Sequence, residues 1–166
     1  MKEIKPEALQ GNPFTLIGSE WMLITAGNKE HHNMMTASWG GLGVLWEKNV
    51  ATVYVRPTRY TLGFLKNEPY FTLSFFGKNK AVHKICGSKS GRDIDKTAAL
   101  GLTPVYENGA VYFKEAELVI VCKKLYADAI KPECFIDPAV NNFYTARDYH
   151  EFFIGEIVKV YVSENR

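Results

Sequence analysis

The chain has 166 residues, 46% hydrophobic and 13% aromatic, with a formal charge of +2. That length suits one domain with a substantial core, and the nearly balanced charge gives no polyelectrolyte basis for binding nucleic acid or an anionic membrane. No apolar run reaches the roughly 18 residues of a membrane-spanning helix, and the charged start MKEIKPEALQGNP lacks the apolar core of a secretory signal.

Three cysteines, Cys86, Cys122 and Cys134, lack metal-type spacing and are expected as reduced thiols of a cytoplasmic protein. Residues 1–13 read as an irregular lead-in broken by Pro6 and Pro13. FTLIGSEWMLITAGN is expected to form two short strands around Gly18-Ser19-Glu20, with a turn at Gly27-Asn28. Residues 29–32 read as a polar loop. Its adjacent His31 and His32 have no further ligand nearby, so no metal site is expected.

In NMMTASWGG, strand parity sets Asn33, Met35, Ala37 and Trp39 on one side and Met34, Thr36 and Ser38 on the other. Gly40-Gly41 then allows a close backbone approach. This is either an ordinary strand meeting a glycine turn or one wall of a ligand site.

Residues 50–61, VATVYVRPTRYT, are the most informative stretch. Ala51, Val53 and Val55 alternate with Thr52, Tyr54 and Arg56 as in a strand, until Pro57 stops the ladder. A helix is expected to follow through LGFLKN, with Leu62 and Leu65 on one face. Arg56, Thr58, Arg59 and Thr61 therefore cluster where a strand gives way to a helix. Forked guanidinium donors and hydroxyls at such a junction suit a phosphate; an ordinary capped helix with solvated arginines is the alternative.

PYFTLSFF alternates again as a strand, and residues 79–86 suit a short helix whose apolar stripe is Ala81, Val82 and Ile85. His83 within that stripe reads as a partly buried helix histidine rather than a catalyst. GSKSGRD reads as a loop with Gly91 exposing its N–H, followed by a helical turn or two in DIDKTAALG, capped by Asp93 and stopped by Gly101. A strong strand is expected at residues 117–126, apolar on both faces and so covered on both sides. A long loop broken by Pro132 and Pro138 comes next, then a closing strand over residues 152–162 in which Gly155 suggests a bulge. Many strands in hairpin-like succession with few helices imply an antiparallel barrel or sandwich, and the doubly apolar strands point to a homodimer covering an outer face.

The order NMMTASW, RPTRYT, SFF, SGRDIDK and HEFFIGEI resembles the flavin reductase-like family of FMN-binding split barrels, especially its flavoredoxin-like branch. The resemblance runs from about residue 13 to residue 162. It implies a mainly β fold, a six-stranded antiparallel Greek-key split barrel with short peripheral helices, in a single FMN-binding domain that forms a homodimer. It places Asn33, Thr36, Ser38 and Trp39 along the isoalloxazine, and Arg56, Thr58, Arg59 and Thr61 at the phosphate end. Ser90, Gly91 and Lys96 close the flavin from a second loop. Reductases of this family resemble one another in a Gly-Asp-His triplet before the final strand, where this chain has Asp148-Tyr149-His150, so only His150 matches.

The resemblance implies NAD(P)H:FMN oxidoreductase activity or a closely related redox activity, with NAD(P)H as a candidate electron donor and His150 as its catalytic candidate. Two alternatives stand beside it: a flavoredoxin-type electron carrier reduced by a redox partner protein, and a flavin-free binding barrel. Lys96 and His150 are expected as positive charges tuning the flavin, Lys96 having the solvated helix lysine as its alternative.

Overall fold

The alternation of residues 50–55 decides the first layer. In the computed structural model, which describes residues 1–77 and 79–164, Ala51, Val53 and Val55 of strand β5 (Lys48–Val55) are fully buried while Thr52 and Tyr54 are only half-buried. The other strands are β1 (Lys2–Ile4), β2 (Met22–Gly27), β3 (His32–Ala37), β4 (Gly40–Leu45), β6 (Tyr70–Phe75), β7 (Pro104–Glu107), β8 (Ala110–Phe113), β9 (Leu118–Ala129) and β10 (Glu151–Val162). The longer helices are α1 (Thr61–Asn67), α2 (Lys80–Ser88) and α3 (Lys96–Leu100).

One antiparallel sheet of eight strands runs β3-β2-β6-β9-β10-β5-β4, with β1 added beside β10, and β7-β8 forms a separate hairpin. The mainly β, split-barrel expectation is met, with more strands than six. The two ends of the hydrogen-bonded path, β3 and β4, are consecutive in sequence and joined only by Ser38 and Trp39. Such a link spans about 10 Å, so the sheet must curl until its edges nearly meet without pairing. The barrel is closed in shape and split in hydrogen bonding. Its interior is filled by Met22, Ile24, Val53, Val55, Leu65, Phe71, Phe75, Ile120 and Phe153, among others.

A second apolar cluster lies outside the barrel. Leu23, Met34, Val119, Val121 and Tyr161, on the outer faces of their strands, pack against Val82 and Cys86 of α2 and Phe113 of β8. Thr72, fully buried, donates to the Val111 carbonyl at 2.6 Å and helps seat the hairpin. The apolar outer face of β9 is therefore covered within the chain, which removes that strand as grounds for a homodimer.

Gly155 sits where the β9–β10 register slips, Ile154 facing Tyr126 and Gly155 facing Lys124. A Cβ there would lie 2.7 Å from the Phe71 ring and 2.8 Å from Cys122, so the expected bulge also makes room for the barrel core.

Several local expectations fail. The lead-in is not wholly irregular, since Lys2–Ile4 pairs with β10 as β1, and residues 14–17 form no strand: Asn12 caps a helical turn, Pro13–Thr15, by accepting from the Phe14 N–H at 2.9 Å, and Leu16–Glu20 continue it as a wide turn. The Asn-Pro start outweighs the short apolar run. His32 belongs to β3 rather than to the loop. Helix α1 begins at Thr61, just ahead of the expected LGFLKN stretch, but α3 is capped by Asp95, which accepts from the Ala98 N–H at 3.1 Å, rather than by Asp93.

Candidate functional site

The Ser38-Trp39 link that joins the barrel edges also forms one wall of a cleft. Met35, Thr36, Ala37, Ser38 and Trp39 face Tyr54 and Arg56 from β5, Arg59 from the turn after it, His150 from the start of β10, and Trp21. The cleft encloses about 340 Å³. Strand parity explains Tyr54, which leaves the barrel on the same side as Thr52 and Arg56. Trp21 carries no such signal; it is placed by a left-handed backbone conformation, φ 71°, between the helical turn and β2.

The chain orients the polar groups itself. Arg56 pairs with Asp148 at 2.6 Å, donates to the Phe143 carbonyl at 2.9 Å and lies over the Tyr144 ring at 5.2 Å. Arg59 donates to the Cys86 and Gly87 carbonyls near the end of α2, both at 3.0 Å. Each guanidinium has five N–H donors, so both retain donors beyond these bonds. Thr36 donates to the His83 carbonyl at 2.9 Å, leaving its lone pairs as what it can offer a ligand. Ser38 is half-buried and its hydroxyl makes no hydrogen bond among the described residues.

His150 is 6% exposed, stands 5.0 Å from the Trp39 ring, and has its Nδ1 2.9 Å from the Tyr144 hydroxyl. Burial first, and the Arg56 charge second, push its imidazole down to about 4, with Asp148 opposing. It is neutral at pH 7, so the expected positive charge at His150 is absent. Tyr144, which sequence reasoning passed over, holds this ring in place.

The second expected group lies toward the start of β3. Asn33, Gly91 and Lys96 line a polar cleft of about 570 Å³ together with Tyr60 and Arg92, whose guanidinium lies 4.6 Å from the Tyr60 ring centre. Asn33 donates to the Thr61 hydroxyl at 2.9 Å, both side chains buried. Gly91 packs so tightly on Asn33 that a Cβ would overlap its side chain. Lys96 is 4% exposed and donates to the Met34 carbonyl at 2.9 Å, with the Cys86 carbonyl 3.5 Å away. Burial lowers its pKa. The solvated-lysine alternative is thereby excluded. Thr58 is exposed, Ser90 accepts from the Arg92 N–H at 3.2 Å, and neither lines either cleft.

Of the expected residues, Thr36, Ser38, Trp39, Arg56, Arg59 and His150 meet in the first cleft and Asn33, Gly91 and Lys96 in the second, with Arg59 and Tyr60 adjacent in sequence between the two. Among the described residues no group of three or more His, Cys, Asp or Glu side chains is placed to hold a metal. His83, expected as partly buried, is 2% exposed, pushed down to about 4 by burial, and its Nε2 has no hydrogen-bond partner.

The sequence model of the family described as flavin reductase like domain matches residues 14–166. No curated protein matches significantly. Among solved structures, flavoredoxin of Desulfovibrio vulgaris (Miyazaki F) is 25% identical, with a TM-score of 0.68 over 99% of this chain and 78% of that one. An FMN-binding domain of a flavin reductases-like enzyme from Shewanella baltica OS155 is 16% identical, with a TM-score of 0.68 over 97% of this chain and 76% of that one. The NADH:FAD oxidoreductase SgcE6 of Streptomyces globisporus C-1027 is 14% identical, with a TM-score of 0.66 over 87% of this chain and 75% of that one.

Proposed function

The chain belongs to the flavin reductase-like domain family, and from that premise we propose that it is an FMN-dependent oxidoreductase whose cofactor is held at the Arg56–Arg59 cleft. The observation that carries this reading is the meeting of two guanidiniums and an aromatic wall, Trp21, Trp39 and Tyr54, in one cleft. An ionised phosphate needs fixed charge-assisted donors and a fused ring needs flat apolar walls. The residues present therefore fit the group.

Arg56 and Arg59 would hold the phosphate end, and Thr36, Ser38 and Trp39 would border the ring. Asn33, Thr61, Gly91 and Lys96 act one layer out, fixing the strand and loop that carry the cleft, since their polar atoms meet one another or β3. Bound flavin supplies hydride or single-electron chemistry, and no side chain has to act as nucleophile. His150 contributes a neutral ring against Trp39 and shields that end of the cleft from water.

Flavin-free chain should bind FMN about two to four decades more tightly than riboflavin, from two charge-assisted hydrogen bonds of roughly 1.5–3 kcal/mol each. Equal affinities in a calorimetric titration would remove the phosphate site.

A second reading, an electron carrier reduced by a partner protein, is favoured by one feature. The His150 imidazole, the one residue matching the reductase triplet, is 6% exposed and spends its Nδ1 on Tyr144. Anaerobic NADH that bleaches bound FMN, with a rate lowered in His150→Ala, supports the reductase; no bleaching by NADH or NADPH supports the carrier. A homodimer belongs to the same proposal.

A further inference from the structure

Trp21 stands in the wall of the Arg56–Arg59 cleft in a backbone conformation almost confined to glycine, φ 71° and ψ 164°. For a residue with a Cβ that conformation is strained, so contacts outside the residue must hold it. In an ordinary extended conformation its Cα–Cβ bond would point elsewhere and the indole would leave the cleft.

Lys80, the first residue of helix α2, supplies the hold. Its ammonium donates to the Ser19 carbonyl at 2.7 Å and to the Glu20 carbonyl at 2.9 Å, and lies 4.4 Å from the centre of the Trp21 ring. An ammonium has three N–H donors. Two go to carbonyls at the end of the Leu16–Glu20 turn, and the third remains for the indole face. A cation at the start of a helix opposes the helix dipole, so Lys80 brings α2 no electrostatic gain. Its contacts fall on the segment that carries Trp21. Two further contacts bound the indole: its Nε1 donates to the Gly18 carbonyl at 3.1 Å, and the His83 ring of α2 meets it edge to face at 5.9 Å. Gly18 belongs to the same turn and moves with it, and the His83 contact is a ring edge without a hydrogen bond.

We propose that Lys80 is a positioning residue that clamps Trp21 as a fixed wall of the cleft and thereby sets how slowly a bound ligand leaves. That the ligand is FMN rests on the flavin reading above; that Lys80 fixes the wall does not. Without the ammonium the turn relaxes and the indole swings clear, which acts on departure more than on arrival.

The test compares wild type, Lys80→Met, Lys80→Arg, Trp21→Ala and the double variant Lys80→Met with Trp21→Ala. Lys80 is exposed, so methionine, which removes the donors and keeps an unbranched chain, should leave the melting temperature near that of the wild type. In flavin-free chain labelled with 5-fluorotryptophan, the fluorine NMR line of Trp21 is identified by its loss in Trp21→Ala. That line should shift and broaden in Lys80→Met, with the Trp46 line unchanged, and return toward its wild-type position in Lys80→Arg. FMN release, followed by stopped-flow fluorescence, should be about tenfold faster in Lys80→Met and near the wild-type rate in Lys80→Arg. Trp21→Ala should release FMN at least as fast, with no further acceleration in the double variant. A Trp21 line that Lys80→Met leaves in place overturns the clamp. A shifted line with unchanged FMN release overturns its part in ligand retention, and so does further acceleration in the double variant, which would put the lysine's effect elsewhere. A wild-type chain that binds no FMN sinks the flavin reading, and the fluorine line then decides the clamp alone.

Discussion

His83 and His150 are both buried with their imidazoles pushed down to about 4 by burial, and this makes stability depend on pH in a definite direction. Unfolded, each ring titrates near its ordinary value of 6.5. Between there and about 4 the unfolded chain takes up protons that the folded chain refuses. Stability is therefore full above the unfolded value, falls as pH drops through that window, and levels off below it. Each histidine contributes roughly 3 kcal/mol at most over the whole window. Urea midpoints should fall between pH 7 and pH 4.5, and His83→Leu should flatten part of that fall; a midpoint independent of pH would contradict the burial argument. Gly91 gives a second test at this scale. Its missing Cβ is what lets the loop rest on Asn33, so Gly91→Ala should cost about 1–3 kcal/mol by overpacking and weaken FMN binding with it. An unchanged melting temperature would mean the loop yields freely. Motif order singled out Gly91 and Asn33 but not their mutual contact, because no spacing rule joins residues 33 and 91. Lys96 is instructive for the same reason: its local sequence is that of an exposed helix start, and only the Met34 carbonyl opposite explains its burial.

At the scale of elements, two hairpins escaped sequence reasoning for different reasons. The β7–β8 turn is Asn108-Gly109, both with positive φ, 49° and 83°, and Asn-Gly between extended runs is a strong hairpin signal. The β4–β5 turn reaches the same shape with Trp46 and Glu47, at φ 53° and 57°, residues that signal no turn at all. Tertiary contact carries the cost: the Trp46 ring lies 6.4 Å from that of Tyr126. Glu47 is exposed and has no partner among the described residues, so Glu47→Gly should relieve its left-handed strain. The gain should be about 0.5–1 kcal/mol after the extra freedom of the unfolded glycine is subtracted, seen as a higher denaturation midpoint. A lower midpoint would show that Glu47 makes a contribution its exposed position hides. The long strands, by contrast, were legible throughout, since period-two alternation in β5, β6 and β10 survives whatever packs outside them.

For the whole molecule, the doubly apolar strand β9 shows how a correct pattern can support a mistaken cause. Its outer face is buried, as expected, but by the chain's own β8 and α2 rather than by a second copy. The grounds for a homodimer move to the β4–β5 tip, where Val44 is 74% exposed and Trp46 is 55% exposed, near Tyr126 at 44%. Sedimentation at micromolar concentration should give twice the chain mass, and Val44→Lys with Trp46→Lys should shift it toward the monomer; a wild-type monomer that still binds FMN would end the dimer proposal. The two-residue bridge between β3 and β4 carries a last consequence. The same two side chains, Ser38 and Trp39, face the cleft and span the seam where the sheet leaves its edges unpaired. A molecule that grips them therefore acts as a stitch across the seam, slowing the opening of both free edges. Occupancy of the cleft should then be readable far from any colour or turnover, as slower exchange of amide hydrogens along β3 and β4 with the surrounding water.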